Sequence, residues 1–244
     1  KQRDPSNALG VAAQQSEQTR FAVEVANPDN DGRQITRIVV AGMGGSALAA
    51  LLAKSWFNKE LAIPLEVVRT YDLPGYVDYN TLVIASSYSG NTEETLSGLS
   101  EAQAKSAQIA AITAGGKLKS IAESENIAHV VLPGGLPQRM TTIYNLRALT
   151  ALLAHFGVMG YDRFAEIAET ADWLAEETLQ WTSDVTTDKN YAKQLALMAV
   201  GKTPVFYAGS LMASIAYKWK ISWNESAKNV AFWNELPEFN HNEF

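Results

Sequence analysis

Two short stretches carry the side chains best suited to chemistry. One is "GMGGSA", Gly42 to Ala47, and the other is "SSYSGNTEET", Ser86 to Thr95. Glycines let a backbone approach a ligand closely, and hydroxyls at the start of a helix add O–H donors to the helix's own N–H groups. That combination suits an anion. A phosphate monoester fits best, because several neutral donors can hold it without a cation. A capping box built on Thr92 or Asn91 would occupy one or two of Ser86, Ser87, Ser89, Asn91 and Thr92, and leave the rest unexplained.

The glycine stretch alone is ambiguous. It satisfies the G-x-G-x-x-G/A pattern of a dinucleotide turn, but the acid expected after the second strand has only a loose counterpart in Asp72. A triphosphate loop is excluded, since no G-K-[ST] follows. A plain tight turn explains the glycines equally well. The second hydroxyl cluster favours a sugar phosphate, because a dinucleotide needs no second clamp.

Both stretches sit where a strand runs into a helix. Short apolar runs rich in Val and Ile occupy residues 35–41, 64–70, 81–85, 108–113 and 127–132, with helical patterns between them at 46–58, 92–105, 117–123 and 140–156. Strands apolar on both faces and separated by helices are parallel and covered on both sides. The expectation is α/β: a doubly wound five-stranded parallel sheet with flanking helices, so that both junctions lie at the carboxyl ends of strands. An amphipathic helix is expected over 6–26, then helices over 161–182 and 191–200. A strand "TPVFYAGS" and a further helix follow, as the start of a second, similar domain. One strand makes no sheet, so the expected layout is 1–160 for the N-terminal helix and first domain, and 161–244 for linker helices and part of a second.

Composition narrows the classes. The chain has 244 residues, no cysteine and a formal net charge of −6. Disulfides and thiolate metal sites are excluded, and no basic stripe offers itself to nucleic acid. No apolar run reaches the ~20 residues of a membrane span. These features point to the cytoplasm.

The motifs together resemble the sugar isomerase (SIS) domain, which binds phosphosugars with two such loops. "NESAKN" (Asn224–Asn229) and "ELPEFNHNEF" (Glu235–Phe244) are similar to the N-E-N-A-K and P-E-L-N-H-N-E signatures of bifunctional phosphoglucose/phosphomannose isomerases. That resemblance implies two SIS domains in tandem, a homodimer with shared active sites, a hexose phosphate substrate and no metal or organic cofactor. It implies that Gly45, Ser46, Ser87, Ser89 and Thr92 hold the phosphate. It also implies that Glu225 moves a proton between C1 and C2, that His241 opens the ring from the neighbouring subunit, and that Arg139 lies near the reacting carbons. Such a reaction needs a carboxylate base, a donor for the developing oxyanion and an acid/base for the ring, so the residue types fit.

The chain departs from the family's pattern at Ala47, where a glycine is expected, and at "QRMTTIYN", where Met140 and the threonines should fill space near the substrate. His129 and His155 read as structural, and Trp173 and Trp181 as core or dimer packing. The rival from another class is a sugar-phosphate sensor without turnover, disfavoured by the proton-shuttle motifs and by the lack of a basic helix-turn-helix. A dehydrogenase is the weakest reading.

Overall fold

A computed structural model of the chain describes residues 4–28 and 30–243. It opens with two short helices, α1 (Ala8–Ala13) and α2 (Gln15–Thr19). The helix expected through residue 26 stops there. Phe21, Val23 and Val25 alternate with more exposed neighbours and pack on the core, and Ala26 pairs antiparallel with His129. A period of two, not 3.6, governs that stretch.

The sheet follows in the order β1 (Arg37–Gly42), α3 (Gly44–Trp56), β2 (Leu65–Val68), β3 (Thr81–Ser86), α4 (Glu93–Ala104), β4 (Gln108–Thr113), α5 (Gly116–Ser124), β5 (Ala128–Val131) and α6 (Thr142–His155). All five strands are parallel, in the spatial order β2-β1-β3-β4-β5. Alternate side chains of each strand enter opposite faces. Ile38, Val40, Leu82, Ile84 and Ile112 meet Ala53 and Phe57 of the α3 segment and Leu149, Leu152 and Leu153 of α6. Val39, Ala41, Val83, Ala85 and Ala111 meet Leu99 and Ala102 of α4 and Leu118 and Ala122 of α5. Two dry layers on one sheet explain why its strands read as unbroken apolar runs.

The order reverses between β1 and β3: the chain goes from β1 outward to β2, then returns past β1 to build β3, β4 and β5. That switch point leaves a crevice at the carboxyl ends of β1 and β3. Both motif junctions open there.

After α6 come α7 (Asp162–Glu169), α8 (Ala171–Leu179) and α9 (Tyr191–Met198). The single helix expected over 161–182 is broken at Thr170, whose hydroxyl donates back to the Ile167 carbonyl. Then follow β6 (Val205–Gly209), α10 (Ala213–Ser222), β7 (Phe232–Leu236) and α11 (Phe239–Asn242). β6 and β7 pair in parallel, Gly209 opposite Leu236. The expectation of one strand in this region is therefore corrected to two. The "FWNEL" segment is half exposed and lacks the apolar run that marks a covered strand.

The chain divides into two compact units, Phe21–Glu166 and the residues before and after it. The N-terminal helices thus cluster with the C-terminal segment, not with the first sheet as the 1–160 division assumed. The physical link is α2 beside α8, with Arg20 and Asp172 paired at 2.7 Å. Core packing expected of Trp173 and Trp181 is absent among the described residues, for both rings are exposed. No described helix is long and apolar enough to cross a membrane.

Phe57 is completely buried where α3 ends against the sheet. Phe57→Ala should lower unfolding free energy by about 3–5 kcal/mol, read from a denaturant midpoint.

Candidate functional site

The glycine turn is a strand end converted directly into a helix start. β1 closes at Gly42, Met43 is extended, and α3 begins at Gly44. The amides of Ser46 and Ala47 turn back to the Met43 carbonyl. A Cβ on Gly45 would stand 2.9 Å from the Gln138 carbonyl oxygen, so a side chain there would push the two backbones apart. Ala47, the departure from the expected glycine, is buried on the helix at 1% exposure, and so belongs to the core.

The hydroxyl loop lies one strand away. Ser87 Oγ is 2.8 Å from Thr92 Oγ1 and 3.4 Å from Ser89 Oγ, and accepts the Gly90 amide at 3.1 Å. Thr92 occupies the cap position of α4 but makes no side-chain cap bond. Its hydroxyl turns to Ser87 instead, so the capping-box alternative does not describe this helix start. The three hydroxyls form one cluster at a helix N-terminus, where the peptide dipoles favour negative charge.

Gly90 has φ +69°, and a Cβ there would meet the Gly115 carbonyl at 1.7 Å. The loop is tied to the β4–α5 connection by Ala114 N to Tyr88 O, Leu118 N to Gly90 O and Lys117 N to Asn91 Oδ1.

One atom joins the two junctions. Ser46 Oγ accepts the Tyr88 amide at 3.2 Å and the Gln138 side-chain amide at 3.3 Å. Gln138 begins a 3₁₀ turn, Gln138–Met140, which also carries the half-buried Arg139. Tyr88 anchors the preceding loop, its hydroxyl donating to Pro133 O and accepting from Leu136 N. Gly45, Ser46, Ser87, Ser89 and Thr92 are therefore assembled in one corner, with the Arg139 turn against it. The sequence reading had not singled out Tyr88 or Gln138. Met140 is half-buried, but Thr141 and Thr142 are buried, and Thr141 donates to the Gln138 carbonyl. Thr141 braces the turn through that bond.

Glu225 and His241 belong to the other unit. Glu225 is half-buried in a π-helical turn, Trp223–Ala227, that prolongs α10. Such turns recur at functional sites. His241 is exposed on α11. α10 runs from the carboxyl end of β6 back toward the amino end of β7, so Glu225 precedes β7 and His241 follows it.

Glu243, beside His241, accepts from Tyr207 Oη at 2.7 Å and from Asn234 Nδ2. These bonds, Tyr207's first, hold its carboxyl below the usual value of 4.5. Such a group stabilises its tether above the ordinary carboxylate range and loses that contribution as pH falls through the lowered folded value. His129 is buried with Nδ1 2.9 Å from the Ile127 carbonyl. No group of three or more His, Asp or Glu able to hold a metal ion occurs among the described residues.

Set beside known proteins, residues 33–135 match the SIS domain, and residues 188–244 match the bacterial phospho-glucose isomerase C-terminal SIS domain. A bifunctional phosphoglucose/phosphomannose isomerase of Caldicellulosiruptor bescii is 41% identical over 210 residues, 86% of this chain and 62% of that protein. A D-glucosamine-6-phosphate 4-epimerase of Sulfolobus acidocaldarius is 36% identical over 208 residues, 85% of this chain and 62% of its own. Among solved structures, the C-terminal domain of glucosamine-fructose-6-phosphate aminotransferase from Francisella tularensis superposes with TM-score 0.66 at 17% identity, over 95% of this chain and 69% of that one. This last likeness concerns the fold alone. The chain spans about 62% of the length of the curated relatives it matches.

As pH falls through the lowered Glu243 value, the protection factors of the α11 backbone amides should fall. Glu243→Ala should produce the same loosening at neutral pH, both followed by NMR.

Proposed function

Since the chain belongs to the phosphoglucose/phosphomannose isomerase family of SIS-domain proteins, we propose that the complete enzyme interconverts glucose 6-phosphate and fructose 6-phosphate, and accepts mannose 6-phosphate as well. The observation that carries the reading is the hydroxyl cluster of Ser87, Ser89 and Thr92, linked through Tyr88 to Ser46 at the next helix start. Two helix N-termini and four hydroxyls offer a phosphate many neutral donors. Gly45 keeps the backbone close enough for its amides to join them.

With the phosphate anchored, the sugar's far end carries the chemistry. Glu225 is the base: its carboxylate takes the C2 proton of the open aldose, leaving a cis-enediolate, and returns it to C1 while the O2 proton passes to O1, giving the ketose. Arg139 balances the charge that develops on the C1 and C2 oxygens. His241 moves the proton that opens the hexose ring. The family resemblance supports a dimer in which each site draws His241 from the partner copy. The absence of cysteine suits an enzyme working in the cytoplasm.

A second reading rests on the 4-epimerase relative. The same anchor could serve an amino-sugar phosphate, with chemistry at C4. A sensor role has no such support, since the curated relatives described above are named as enzymes.

The test uses the full-length protein with each sugar phosphate in turn. Glu225→Gln should reduce turnover at least ~100-fold while fructose 6-phosphate still binds by calorimetry. Near-normal isomerisation would remove Glu225 as the base, and conversion of glucosamine 6-phosphate alone would favour the epimerase reading.

A further inference from the structure

Ser46 is nearly fully buried, at 2% exposure, and two N–H groups point at its oxygen: the Tyr88 amide from the hydroxyl loop and the Gln138 carboxamide from the 3₁₀ turn. A serine hydroxyl has two acceptor positions and one proton. With both acceptor positions filled, what remains for a ligand is the proton. We propose that Gln138 is a positioning residue that fixes Ser46 as a hydrogen-bond donor, so that this hydroxyl meets the phosphate with its proton and never with a lone pair. The inference rests on the phosphate-binding reading given above.

The geometry around Gln138 supports a dedicated role. Its carbonyl accepts from Thr141 Oγ1 at 2.9 Å, and a Cβ on Gly45 would lie 2.9 Å from that same oxygen. The residue is thus clamped at its backbone on both sides while its side chain crosses to α3. Asn145, one helical turn on, donates to the Thr141 carbonyl at 2.9 Å and secures the turn from behind. A side chain held this way has little conformational freedom left to lose when a ligand arrives.

A phosphate dianion carries only acceptor oxygens. A hydroxyl free to rotate would present its lone pairs part of the time, and holding the proton outward removes that cost. Tyr88 supplies one of the two fixing donors through its backbone, which substitution cannot delete. Gln138 supplies the other through its side chain, which substitution can.

The experiment measures binding of fructose 6-phosphate and of inorganic phosphate to the full-length protein by calorimetry. It compares wild type, Gln138→Met, Gln138→Glu, Ser46→Ala and each Gln138 change combined with Ser46→Ala. Methionine keeps length and bulk without the donor. Glutamate keeps the shape but accepts the Ser46 proton, and its charge repulsion is read separately in the Ser46→Ala background. Gln138→Met should weaken both ligands about 5-fold, the worth of one ordinary hydrogen bond, and Gln138→Glu should weaken them further. In the Ser46→Ala background Gln138→Met should change affinity less than about 2-fold. Turnover by Gln138→Met should show a raised KM with kcat retained. Equal losses with and without Ser46 would overturn the inference, as would wild-type affinity in Gln138→Met beside a weakened Ser46→Ala. Failure of the wild-type protein to bind either ligand would overturn the phosphate reading itself, and this inference with it.

Discussion

Gly42 pairs with Ser86 on the last rung of the ladder between β1 and β3. Parallel strands that end level deliver their following helices to the same edge, and here the chain also changes direction along the sheet. Two helix starts consequently stand side by side, each presenting amides that its own helix does not use. The hydrogen bond from Tyr88 N to Ser46 Oγ then locks one start to the other. Had the two strands ended two residues out of step, ~7 Å would separate the junctions, and no single serine could span them.

The register holds because the sheet is dry on both faces. α3 and α6 cover one side and α4 and α5 the other, with Phe57, Leu149 and Leu152 almost wholly buried. A slip would require whole layers of apolar side chains to exchange faces. The cost of that exchange is carried by the core, so the polar residues at the rim can be chosen for the ligand.

The same physics explains what could be read from the chain. Strands such as "RIVVAG" and "TLVIAS" are apolar at nearly every position because they are covered twice, and such runs stand out in any sequence. The two loops stood out because clustered short hydroxyls exceed what capping needs. The tail at "FWNEL" was illegible as a strand because its side chains are half exposed and mixed in character. Residues 21–26 were misread because a run of small and apolar residues satisfies a helical period and an alternating one about equally. Gln138 left no trace: a lone glutamine has no motif, and its partner Ser46 lies 92 positions away. Thr92 stands where a capping reading competed with the hydroxyl cluster, and its hydroxyl pairs with Ser87.

The hydroxyl loop is strapped across its back to the connection that follows β4, at Tyr88, Gly90 and Asn91. Its backbone is shaped by the protein before any ligand arrives, and the left-handed bend at Gly90 presses against the Gly115 carbonyl with no room for a side chain. Such a loop is a fixed socket with interchangeable pins. Its curvature is set by glycine and by the neighbouring turn, and only the outward side chains can be altered without disturbing the fold. A lineage adapting this scaffold to another ester would keep the socket and exchange the pins, most freely at the exposed Ser89 and least freely at the buried Ser87.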